Sequence, residues 1–138
     1  MPDVIEDRAG VPVLVCDPHG PPVTTEQDAL DLIGAAFLGA QLVAVPAGRL
    51  DASFFSLGTR FAGEIMQKFV NYRIRLVVVG DITAHLAASS ALRALVHESN
   101  RSSHVWFVPD LDALDARLAP SSGSGGAGPE PDGAPTNA

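Results

Sequence analysis

The chain has 138 residues, room for one compact domain and too few for two of ordinary size. Its apolar fraction of 46% is that of a globular protein, yet no run approaches the ~20 apolar residues of a membrane-spanning helix, so membrane insertion is not expected. The formal charge is −7, Lys68 is the only lysine and the arginines are scattered, which leaves no basic stripe for nucleic acid.

Cys16 is the only cysteine, which excludes an internal disulfide and a thiolate metal cluster and suits a reducing compartment. The acidic start Asp3-Val4-Ile5-Glu6-Asp7 has neither the basic nor the long apolar region of a secretion signal. The expected compartment is the cytoplasm. Residues 120–138 are Gly, Pro and Ser rich with nothing large and apolar to bury, so this tail is expected to be disordered and residues 1–119 to form the single domain.

In chain order, Val4-Ile5 and the run Val11 to Cys16 flank the turn composition Asp7-Arg8-Ala9-Gly10, which predicts an opening hairpin with Pro12 at a strand start or edge. Thr24-Thr25-Glu26-Gln27-Asp28 offers a hydroxyl cap and early acids, and Leu30, Ile33 and Phe37 recur on one face, so a first helix is expected to close near Gly39. Leu42 to Val45 reads as a buried strand ended by Pro46 and Gly48. Leu57, Phe61, Ile65 and Phe69, widened by Ala62 and Val70, predict a second helix in which Gly63 permits close packing against a neighbour. Ile74 to Val79 reads as a central strand, stopped by Gly80-Asp81. A third helix is expected from about Ala88 to Ser99, a last strand over Val105 to Val108, and a final helix capped by Asp110 and carrying Leu111, Leu114 and Leu118. The fold class is therefore α/β: an N-terminal hairpin, then αβαβαβα, with the later strands mostly parallel.

The stretch Phe54-Phe55-Ser56-Leu57-Gly58-Thr59-Arg60-Phe61-Ala62-Gly63-Glu64-Ile65-Met66-Gln67-Lys68-Phe69-Val70-Asn71-Tyr72, running into Val79-Gly80-Asp81, resembles the core of an uncharacterised bacterial domain-of-unknown-function family of the DUF4180 type. Ala29 to Ile33 and Glu98-Ser99-Asn100 add to the resemblance, which covers roughly residues 4–118. The element order and Thr59 to Ile65 more weakly resemble STAS domains, the anti-sigma-factor-antagonist class. That second resemblance implies a STAS-like mixed sheet and a regulatory module toggled by a partner kinase, with Thr59 nearest the phosphorylated position and Ser56 second. The Asp-Ser/Thr-x-Gly style of that phosphosite is absent here.

Each chemical candidate has a plain structural alternative. A phosphate on Thr59 or Ser56 would meet the N-terminal end of a helix, although both are also ordinary capping residues. Asp17, Asp51 and Asp81 follow three strands, the edge where open parallel sheets place ligands and where carboxylates could take Mg²⁺; Asp also makes turns and caps there. His19, His85, His97 and His104 show no metal-ligand spacing, and Cys16 reads as a buried thiol. No metal and no cofactor is expected. Glu64, Gln67, Lys68, Asn71 and Tyr72, three or four apart, read either as a partner-binding polar ridge or as a solvated face with a Glu64–Lys68 pair. The expectation is a non-enzymatic module that binds a protein, a regulator or a kinase, through the second helix and the loop before it. The alternatives are a small-molecule or metal site or an enzyme at the loop edge around Asp17, Asp51 and Asp81, and a structural homodimer.

Overall fold

The computed structural model describes residues 3–56, 58 and 60–119. Leu57, Thr59 and the tail from residue 120 lie outside the described residues. β1 (Val4–Arg8) turns back onto β2 (Val11–Val15) as an antiparallel hairpin. There follow α1 (Glu26–Ala36), β3 (Leu42–Pro46), α2 (Phe61–Asn71), β4 (Arg75–Val79), α3 (Thr83–Ala88), α4 (Ser90–Arg101), β5 (Val105–Val108) and α5 (Leu111–Leu118). The sheet order is β1-β2-β3-β4-β5, and β2 to β5 are parallel, so the domain is α/β with a five-stranded mixed sheet.

Because the strand order never reverses, right-handed crossovers place α1, α2 and the α3–α4 pair on the same face. The side chains divide accordingly, since alternate strand residues point to opposite faces. Leu14, Val43, Val45, Leu76, Val78 and Phe107 join the helices above them in the larger core. Val13, Leu42, Ala44, Val77, Trp106 and Val108 face the other way and are closed by Leu114 of α5.

The start of α1 follows the local signal. Thr25 Oγ1 accepts from Asp28 N at 3.2 Å while Asp28 Oδ2 accepts from Thr25 N at 3.1 Å, a reciprocal capping box. The buried stripe of α1 is Ala29, Leu32, Ile33 and Ala36, whereas Phe37, expected on that face, is the C-cap and is 58% exposed. The second helix begins later than its apolar period suggests. Arg60 has φ +65°, a left-handed conformation that cannot continue a helix. The chain before it instead makes 3₁₀ turns over Ala47–Arg49 and Ala52–Phe55 that bury Arg49, Phe54 and Phe55. Gly63, expected to allow close packing, faces open space: a Cβ built there has no atom within 4 Å apart from its own stretch of helix. The expected third helix is α4, started by Ser89, whose Oγ accepts from Leu92 N at 3.0 Å; the short α3 before it was not expected.

The outer edge of β5 is occupied by a side chain. Phe107 N donates to Asn100 Oδ1 at 2.7 Å, so α4 supplies the acceptor that a further strand would otherwise offer. Asn100→Ala should leave that N–H unsatisfied and cost about 1–2 kcal/mol by urea denaturation. Asn100→Asp, which keeps an acceptor, should cost less.

α5 crosses the second face diagonally. It starts beside the carboxyl end of β5 and is fastened at the opposite corner, where Arg8 Nε and Nη2 donate to Asp115 Oδ1 and Oδ2 at 2.7 and 2.9 Å. Glu6 also pairs with Arg8. A bidentate fork of this kind fixes direction as well as distance.

Candidate functional site

α2 buries Ala62, Ile65 and Phe69, which turns Glu64, Gln67 and Asn71 to solvent. Gln67 Nε2 donates to Asn71 Oδ1 at 2.8 Å across one turn, holding two amides in line. Lys68 and Tyr72 lean the other way. Lys68 Nζ stands 3.3 Å from Glu26 Oε1 on α1, in place of the expected pair with Glu64. The Tyr72 ring sits edge-on to Phe37 with centroids 6.0 Å apart. The five ridge residues thus separate into an outward-facing trio and two side chains that tie α2 to α1.

Beside the trio the helix layer has an opening. Gly63, Met66 and Gln67 of α2 and Leu95 of α4 line a groove of about 550 Å³, with Arg60 and Glu64 at its polar border. Gly63 offers no side chain to fill it, and Met66 and Leu95 are only half-buried. The bare helix surface at Gly63 and the adaptable thioether of Met66 leave the groove open and apolar.

Ser56 follows the second 3₁₀ turn, and its N–H donates to Ser53 O at 3.2 Å. Thr59, the first phosphosite expectation, lies outside the described residues. Between them and α2 stands Arg60 in its left-handed conformation, without a side-chain cap on the helix.

The three loop-edge acids each serve a local turn. Asp17 Oδ1 accepts from His19 N at 2.9 Å, Asp51 Oδ2 from Ser53 N and Oγ at 3.0 and 2.6 Å, and Asp81 Oδ1 from Thr83 N and Oγ1 at 2.9 and 2.5 Å. The Ser53 hydroxyl above all holds the Asp51 carboxyl below the usual carboxylate range, and the Thr83 hydroxyl does the same for Asp81. Among the described residues no three His, Cys, Asp or Glu side chains gather so as to hold a metal ion. A sheet whose strand order never reverses also lacks the switch-point crevice in which such acids would converge.

Cys16 is 2% exposed, and burial pushes its thiol up to about 12, with the Asp3 carboxylate adding to the rise. It is therefore a poor nucleophile near neutral pH. His85 stacks on Phe55 with centroids 4.1 Å apart and rings 12° from parallel, so its exposed ring closes over the 3₁₀ turn.

The family described as Domain of unknown function (DUF4180) matches residues 8–118, nearly the whole of the described domain. The chain belongs to that family. No curated protein and no solved structure matches it. Among the described residues of this DUF4180 domain no helix is long and apolar enough to cross a membrane. The matched span holds the α2 face, the groove and the Asn100 edge together.

Hydrogen bonding to Arg8 holds the Asp115 carboxyl below its ordinary value. A carboxylate with a depressed folded-state pKa stabilises the fold at pH values above its unfolded pKa of about 3.9, and that contribution disappears as pH falls through the folded value. Acidification from pH 7 to pH 3 should lower the melting temperature of the DUF4180 domain. Asp115→Asn should lose less over the same interval, because it has already given up the titrating partner of Arg8.

Proposed function

We infer that this DUF4180 domain is a non-enzymatic, STAS-like regulatory module that binds a protein partner along α2. The observation that carries this is the outward trio Glu64, Gln67 and Asn71 bordering an unfilled apolar groove at Gly63, Met66 and Leu95. Polar side chains at the rim with an apolar recess beside them are what a modest protein interface needs: an anchor pocket for affinity and hydrogen-bonding groups for register. The partner is a regulator or a kinase. A phosphate on Thr59 or Ser56 would add two negative charges just before α2 and so switch the same face. Intact-mass spectra of protein from its own cells should show an 80 Da addition, and spectra that never do so would remove the switch and leave the docking face.

Gly63→Gln tests the docking face. The side chain enters open space and replaces the poorest helix former but proline, so the isolated domain should gain roughly 0.5–1 kcal/mol. The same side chain plugs the groove and should reduce recovery of the partner. A more stable domain that still retrieves the wild-type set of proteins would count against docking at the groove.

A second reading, a homodimer, is favoured by a separate patch. Leu38 is 84% and Phe37 58% exposed at the end of α1, and Ile5 Cδ1 comes within 3.9 Å of the Cβ position at neighbouring Gly39. Sedimentation of wild type against Leu38→Glu decides it: a dimer that the variant dissolves supports this reading, and a monomeric wild type ends it.

A further inference from the structure

The diagonal path of α5 leaves one corner of the second face uncovered, at the carboxyl ends of β2, β3 and β4. The opening is a cleft of about 470 Å³, within the range of small-molecule sites. Val15, Ala44, Pro46 and Val79 line it from the sheet and Pro109 and Leu111 from the start of α5, with Ala44 itself almost covered at 1% exposure. Ala44 is the small residue among larger strand neighbours, and the depth of the cleft depends on it. Val15, Pro46, Val79 and Leu111 are half-buried, so together they show apolar surface to the cleft.

The mouth is acidic. Asp110 and Asp112 stand there at the first turn of α5. The Asp110 carboxylate accepts from Ala113 N at 2.8 Å and so caps the helix. Asp112 is exposed and makes no hydrogen bond or ion pair among the described residues. The N-terminal end of α5 by itself favours an anion, but the full charges of the two carboxylates outweigh that partial charge, so a cation meets complementary charge in a chain of formal charge −7. We propose that this cleft binds a small amphiphilic amine, its hydrocarbon part over Ala44 and its ammonium group at Asp112. The site lies on the opposite face of the sheet from α2 and does not rest on the docking function.

Three probes of one shape separate the contributions: 3-phenylpropylamine, 3-phenylpropanol and 3-phenylpropionate, titrated into the full chain and followed by backbone amide shifts. The amine should bind saturably and shift Val15, Val79 and Leu111. It should bind about three- to tenfold tighter than the alcohol, with the carboxylate weakest, since a partly solvated ion pair contributes about that much. Added salt should narrow the gap. Asp112→Asn, an exposed substitution that leaves the cap intact, should bring the amine close to the alcohol. Ala44→Leu should abolish saturable binding of both. The proposal is overturned if none of the probes saturates, if the three bind alike, or if the shifts fall elsewhere. Should Ala44→Leu fail to fold, an amine affinity unchanged by Asp112→Asn overturns it equally.

Discussion

Phe54→Ala should cost about 3–5 kcal/mol of folding free energy, the range for deleting a fully buried aromatic side chain. Phe54 is 0% exposed. Its ring stands edge-on to Phe55 at 5.3 Å and to Phe61 at 6.4 Å between centroids, so one substitution leaves a cavity and breaks two aromatic contacts. The site cannot collapse freely, because the 3₁₀ turn that holds it is fixed by the Asp51 cap on Ser53 N. In urea the midpoint should fall while the slope stays constant. Phe61 opens α2, so the same variant should also loosen the N-terminal end of that helix. A loss under 1 kcal/mol would mean that this turn is peripheral to the core.

Arg49→Met should cost about 2–4 kcal/mol, although methionine nearly matches the length of the side chain it replaces. Arg49 is the buried charged residue among those described, 4% exposed. Its Nε donates to Pro21 O at 2.8 Å, and its Nη1 donates to Asp3 Oδ1 at 2.9 Å and to Asp17 O at 3.3 Å. One guanidinium therefore fastens the start of β1, the loop after β2 and the loop after β3. Exchanging a buried ion pair for apolar groups can be neutral when both partners leave. Here the two backbone carbonyls remain and lose their donor, which is the costly case. Gly20→Ala should act in the same direction, because its Cβ would lie 2.8 Å from Arg49 Cζ. Equal stability of Arg49→Met and wild type in thermal and urea unfolding would contradict the clasp.

The elements whose signal is local were legible in the sequence. The branched run before Gly80 is β4, Thr25 and Asp28 form the capping box, and Asp110 caps α5. Both 3₁₀ turns escaped because three or four residues are too few to show a period, although Phe54 and Phe55 are buried there. The late start of α2 escaped because arginine carries no preference for the left-handed conformation that Arg60 adopts. The short α3 escaped because its six residues bury no side chain, so no apolar period marks it.

For the site, the spacing of three and four residues placed Glu64, Gln67 and Asn71 on one face. It did not reveal that Lys68 answers Glu26, a contact set by the packing of α1 on α2. The groove, the clasp of Arg49 and the cleft under α5 depend on distances between elements remote in sequence, and no local pattern encodes those. Asn100 was noticed only through family resemblance. Its reason is physical, since a side-chain carbonyl meets the outer N–H of β5.

The most direct test of the docking face is site-specific photo-crosslinking in cells, with p-benzoylphenylalanine placed singly at Gln67, at Leu95 and, as a control on the opposite face, at Ala116. A partner seated in the groove should give one common adduct from Gln67 and Leu95, lost when Gly63→Gln is added, and none of that mass from Ala116. Adducts that form equally from Ala116, or that persist when the groove is plugged, would contradict it.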